Sequence, residues 1–106
     1  MKKRSTRPAK VSDVLGRARR HVDEGTYLDT RHASQRKEER AIPLLEIIYV
    51  LKNGYHEKRK DEFKPEFNDW NYAIRGKTVD GRALRVAIAF VEPDMLVITA
   101  IDLDVR

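Results

Sequence analysis

One stretch near the middle of the chain sets an imidazole and two guanidiniums at helical spacing. In TRHASQRKEER (residues 30–40), His32, Arg36 and Arg40 recur every four residues, so a helix stacks them on one side. Fixed positive charge beside an imidazole favours its neutral form and lowers its pKa. A neutral imidazole near pH 7 is what general acid–base catalysis requires, which makes His32 a candidate proton-transfer group with Arg36 and Arg40 beside it. Glu38 and Glu39 keep a second reading open, a solvated helix whose arginines are neutralised by their own neighbours.

A second set of cations falls on predicted strands. From residue 70 the hydrophobic period changes to about two, and NYAIRGKT, RALRVAIAF and MLVITAIDL read as three β runs joined by VDG and VEPD. In the middle run Leu84, Val86, Ile88 and Phe90 share one face, while Arg85, Ala87 and Ala89 share the other. The large aliphatics belong against helices; alanines with an arginine make a shallow floor open to a ligand. TVDGR suits a three-residue loop with Gly81 left-handed in a bulge. That register sets Thr78 opposite Arg82, Arg75 opposite Arg85, and Ile74 and Val86 inward. A two-residue turn slips the pairing by one and separates the arginines. Two arginines directly opposite repel, so the bulged register calls for an anion between them. Guanidinium forks match phosphate oxygens with paired hydrogen bonds. The alternative is a carboxylate from the acidic segment 57–69. Lys77 lies on the same face, and the facing of Thr99 depends on the VEPD register.

These groups need elements to position them. Residues 1–9 read as a basic flexible arm, and 10–106 as a single domain. Ser12 is the expected N-cap of a first helix over about 12–24, which Gly25 stops. TYLDT (26–30) is a short extended link, and Thr30 stands where a cap for the next helix would be. Pro43 opens PLLEIIYVLKNG, whose Leu44, Leu45, Ile47, Ile48 and Leu51 make it the most buried helix. Residues 55–70 (YHEKRKDEFKPEFNDW) read as an edge strand and loop or as a flap. The fold class is α+β: N-terminal helices packed on one face of a twisted antiparallel sheet of three to four strands.

The totals narrow the function classes. A chain of 106 residues is one domain that buries about two-thirds of its unfolded surface. No run of about 18 apolar residues occurs, and no apolar segment follows the basic N-terminus, so neither a membrane span nor a secretory signal is expected and the address is cytoplasmic. With no cysteine and three scattered histidines, no metal site and no cofactor are expected. Of the net charge of +5, residues 1–20 hold eight Lys or Arg against Asp13 alone; the other 86 hold 14 basic and 16 acidic groups. A basic arm on a near-neutral body suits an anionic polymer, nucleic acid first, or else is simply a solvated start.

The order HASQRKEERAI, an aliphatic helix, NGYH, an acidic gap and YAIRG…DGRALRVAIAF…LVITAI resembles a family of small bacterial domains grouped with RelE-like and barnase-like ribonucleases. The likeness runs from about residue 32 to 102. The wider layout also resembles the motility quorum-sensing regulator toxins, mRNA interferases of that fold. Their lysine after the central helix meets Lys58, and their Trp-amide pair meets Trp70–Asn71. Their strand aromatic falls instead on Leu84 or Arg85, and their C-terminal lysine among Asp102, Leu103 and Asp104. The resemblance implies a RelE-like endoribonuclease, the toxin of a toxin–antitoxin pair, acting on single-stranded RNA and silenced by a cognate antitoxin protein. On that expectation His32, Arg36, Arg75, Arg85 and Thr99 form the catalytic set. Arg40, Lys58, Arg59, Lys60, Trp70, Tyr72 and Lys77 bind RNA, with Trp70 or Tyr72 stacking on a base. A non-catalytic RNA-binding or regulatory protein-interaction module is the alternative.

Overall fold

The computed structural model describes residues 6–31 and 41–104. Helix α1 (Val14–Glu24) starts one residue later than the Ser12 cap implies. Asp13 is the cap, because its carboxylate reaches the Gly16 N–H at 3.1 Å. Gly25 ends the helix as expected, with the Thr26 N–H returning to the His21 carbonyl at 2.9 Å. The apolar stripe of α1 buries Val14 and Ala18, with Val11, Leu15 and Val22 packed beside them.

The residues after α1 are not a plain link. They form a short strand, β1 (Tyr27–Asp29), parallel to the last strand of the chain. The helix expected to follow Thr30 lies outside the described residues; the Thr30 hydroxyl donates to the Val97 carbonyl at 2.8 Å. Pro43 then precedes α2 (Leu44–Asn53), where Ile47, Val50 and Leu51 are fully buried, each worth roughly 1.5–3 kcal/mol over exposure. Leu45 departs from expectation and faces solvent, since it lies off the stripe that meets the sheet.

The segment after α2 resolves into β2 (Tyr55–His56), a 3-10 turn (Lys58–Lys60) and β3 (Glu62–Lys64). The three expected β runs follow as β4 (Asp69–Lys77), β5 (Ala83–Val91) and β6 (Asp94–Asp102), an antiparallel meander. The strand count corrects the expected three to four. Among the described residues the sheet has six strands and is mixed, ordered β1-β6-β5-β4-β2, with β3 on the other end of β4. Helices α1 and α2 contribute to one core with Tyr72, Ile74, Leu84, Val86, Ile88, Met95 and Val97 from one sheet face. The opposite face, with Ala87 and Ala89, carries the grooves described below. No helix of the described residues is long and apolar enough to cross a membrane.

The β4–β5 turn takes the bulged form. The Thr78 N–H donates to the Arg82 carbonyl at 2.8 Å, Gly81 has φ +88°, and Arg75 pairs with Arg85. A residue with a Cβ is strained at that φ, so glycine belongs there. Arg82 then ties the turn to the helical layer, bonding Glu46 of α2 and, at 2.8 Å, Asp102 of β6.

Helix α2 meets β4 almost backbone to backbone. A Cβ on Gly54 would strike the Arg75 carbonyl oxygen and lie 2.7 Å from that of Val50. Gly54→Ala should therefore lower stability by about 2 kcal/mol, the cost of forcing packed backbones apart. Urea unfolding checks this; an unchanged midpoint would show that the contact yields freely.

Candidate functional site on the open sheet face

The outer edge of β4 is covered by two short strands with a gap between them. β2 pairs Tyr55 with Arg75 and His56 with Ile74, whereas β3 pairs Glu62 with Asn71 and Lys64 with Asp69. Ala73 stands opposite the gap, where the intervening chain leaves the sheet. Its backbone groups still find partners, as buried amides must. The Ala73 carbonyl accepts from the Glu57 N–H at 2.8 Å, and its N–H donates to Asp61 Oδ1 at 2.8 Å. The Asp61 side chain is fully buried and also meets His56 Nε2 at 2.9 Å and Lys10 Nζ at 3.0 Å.

Glu57, at the other end of the gap, supplies the anion that the facing arginines require. Its side chain is 5% exposed, so its charge is stabilised by its partners rather than by water. Arg85 Nε donates to one carboxylate oxygen at 2.8 Å and Nη2 to the other at 3.2 Å, a two-bond fork. Arg75 Nη1 reaches the second oxygen at 3.5 Å. The Arg85 hydrogen bonds hold the Glu57 carboxyl below the usual carboxylate range, outweighing the opposing effect of burial. The same bonds raise Arg85 above the ordinary guanidinium value. The reading of Arg75 and Arg85 as a clamp closed directly on an external phosphate is thereby corrected: the anion between them is internal. Among the described residues Arg85 Nη1 makes no hydrogen bond, so part of its fork is left over.

Around this centre the open face is concave. A groove of about 340 Å³ runs past Arg59, Lys60, Asn71, Arg85, Ala87 and Thr99. It continues into a larger one of about 660 Å³ that shares Glu62, Asn71, Ala87 and Thr99. Thr99 faces this side because β6 carries a bulge. Ala87 pairs with Thr99 and Ile88 with Val97, which leaves Ile98 as the extra residue. Val97 and Ala100 are both buried, and Thr99 is turned outward between them.

The expected site residues thus separate. Arg75, Arg85 and Thr99 share the open face, with Lys77 exposed at the end of β4 on the same side. Lys58, Arg59 and Lys60 are exposed on the 3-10 turn and make no ion pair among the described residues. His32, Arg36 and Arg40 lie outside the described residues. Of the two base-stacking candidates, Tyr72 is corrected, and Trp70 is half-buried and already engaged. Tyr72 is 2% exposed in the core, and its hydroxyl accepts the Val11 N–H at 3.0 Å, so neither ring face is open. Burial raises its pKa. Trp70 holds the N-terminal arm: its Nε1 donates to the Pro8 carbonyl at 2.8 Å, Lys10 Nζ lies 4.7 Å from its ring centroid, and Phe63 packs edge-on.

Sequence reasoning passed over Glu57 and Asp61 individually. The only signal was the acid density of 57–69, because neither residue is in regular structure whose period could orient it. Asn71 was accessible through strand alternation, which places it with Ala73, Arg75 and Lys77.

Comparison with known families matches residues 30–102 to the domain of unknown function DUF4258. The chain belongs to this family. The matched segment begins just after β1 and ends with β6, so the open face lies within it and α1 lies outside. No curated protein matches the chain. No solved structure does either.

Glu57→Gln keeps the side-chain shape and removes the charge that both guanidiniums share. Stability should fall by about 2 kcal/mol, discounted from a fully buried pair because Arg75 is partly solvated. The sign with pH follows from the lowered pKa. Glu57 contributes fully above its ordinary value of 4.5, and the contribution is lost as pH falls through the lower folded-state value. Chemical denaturation between pH 7 and pH 3 should show a shallower acid decline for Glu57→Gln than for the unaltered chain.

Proposed function

We propose that the open sheet face binds single-stranded RNA and that the protein is an endoribonuclease of the RelE-like kind. The observation that carries this reading is the groove in which Arg59, Lys60 and the spare edge of Arg85 meet Thr99 and Asn71 over an alanine floor. Arg59 and Lys60 have no carboxylate partner among the described residues, so their charge is available to an external anion. A polyanionic backbone satisfies several of them at once, and the flat floor admits an extended strand.

The reaction that suits such a site uses the RNA's own 2′-OH. The 2′ oxygen attacks the adjacent phosphorus, the bond from phosphorus to the 5′ oxygen breaks, and a 2′,3′-cyclic phosphate and a 5′-OH result. One proton leaves the 2′-OH and one reaches the departing oxygen; His32 is the proposed group for this exchange, with Arg36 assisting. Arg85 and Thr99 would donate hydrogen bonds to the phosphorane oxygens. Glu57 would position Arg85 and Arg75, since a carboxyl held below its usual range is a weak base at neutral pH. In the cell this reading makes the protein the toxin of a toxin–antitoxin pair, its basic face covered by an antitoxin.

A second reading, RNA binding without cleavage, draws support from one contact: Glu57 already occupies the inner edge of both arginines. His32→Ala separates the two readings. Cleavage predicts that RNA ends stop appearing while affinity is kept; equal behaviour of variant and parent favours the binding module. Affinity should also decline steeply with salt, and removing both Arg59 and Lys60 should shallow the log–log slope by about 0.7 for each lost phosphate contact. A protein that binds no RNA at low salt, and whose expression leaves bacterial growth unaffected, sinks the proposal.

A further inference from the structure

The two connected grooves differ in chemistry. The smaller one carries Arg59, Lys60 and Arg85 against Glu62 at the join and Asp61, whose carboxylate Lys10 and His56 already engage, so its balance favours an anion. The larger one is walled by Ala87, Ala89, Val91, Leu96 and Ile98; its rim holds Glu62, shared with the smaller groove and paired with Lys64 at 3.2 Å, and the further carboxylates Glu66 and Asp69. That rim repels phosphate and accepts hydrogen bonds from N–H groups. An occupant spanning both therefore has an anionic end and a flat, apolar, N–H-bearing end. Phe67, 76% exposed at the tip of the β3–β4 hairpin, also lines the larger groove and offers an aromatic face that the core does not use. Asn71 and Thr99 stand where the grooves join, and their side chains bond no protein group among the described residues.

We infer that the larger groove is a nucleobase subsite. One unpaired base stacks between Phe67 and the Ala87–Ala89 floor, with its N–H edge toward the acidic rim, while its phosphate rests on Arg59, Lys60 and Arg85. Asn71 and Thr99 contact the sugar between them. The inference rests on the RNA-binding reading and extends it: affinity then depends on the bases as well as on the charged backbone. Stacking on an aromatic side chain is of a size to change affinity by about tenfold per base.

The test compares a short single-stranded RNA with an abasic ribose-phosphate strand of the same length, titrated into the full chain. Trp70, the single tryptophan, borders the larger groove and reports occupancy by fluorescence. The unaltered protein should bind the base-bearing strand about tenfold more tightly than the abasic one. Phe67→Ala should remove that advantage and leave abasic affinity and its salt slope unchanged. Ala89→Leu, which fills the floor from a partly exposed position, should do the same by exclusion. An equal effect of Phe67→Ala on both strands, or no effect on either, overturns the base subsite while leaving RNA binding intact. So does a change confined to binding of the protein encoded next to this one, which would make the groove a polypeptide dock. Failure of both strands to bind overturns the RNA reading itself, and the subsite with it.

Discussion

Glu57 sits where two guanidiniums would otherwise face each other across adjacent strands, and much of this face of the molecule is arranged around that carboxylate. The β4–β5 register places Arg75 opposite Arg85, a like-charge pair that a bare sheet cannot hold without cost. The edge beside β4 is interrupted two residues away, at Ala73, and the interrupting chain brings Glu57 into both forks. The interruption leaves Ala73 without a strand partner on its outer side, and Glu57 and Asp61 replace the missing ladder bonds there. Electrostatics and backbone satisfaction thus meet in one five-residue excursion, residues 57–61.

The same excursion shapes the groove. By leaving the sheet it lifts Arg59 and Lys60 above the alanine floor, where they remain unpaired among the described residues. Its far end anchors the N-terminal segment through Asp61 and Lys10, while Trp70 and Tyr72 grip Pro8 and Val11. The aromatic pair expected to touch RNA therefore fastens the chain to itself. The exposed aromatic of this region, Phe67, belongs to the hairpin that walls the larger groove. Charge on one side and apolar surface on the other give the open face a polarity that a uniform basic patch would lack.

Much of the meander was legible before any coordinates. Alternation assigned Leu84, Val86, Ile88 and Phe90 to the core and Arg85, Ala87 and Ala89 to the other side, and all seven stand so. Gly81 within TVDGR pointed to the bulged turn, because only that turn keeps Ile74 and Val86 on one face. Helix α2 was equally plain from its apolar stripe, although Leu45 shows that an aliphatic residue in such a run need not be buried. The parallel strand β1 was not legible: three residues carry no measurable period, and their pairing lies some seventy residues away.

What the sequence by itself determined is local. It specified the period of each long element, the turn chemistry that sets one register, and the charge imbalance of the first twenty residues. These follow from neighbouring residues and from backbone sterics, which act within a few positions along the chain. Tertiary structure alone decided which carboxylate answers Arg75 and Arg85, since 57–69 offers several and only the path of the excursion selects Glu57. It alone turned Thr99 outward, because the bulge at Ile98 reverses the alternation that Val97 would have imposed. It also gave the Tyr72 hydroxyl its partner, the Val11 N–H, 61 residues earlier in the chain. In each case the deciding contact joins residues remote in sequence, and the energy of such a contact exists only once the chain has brought them together.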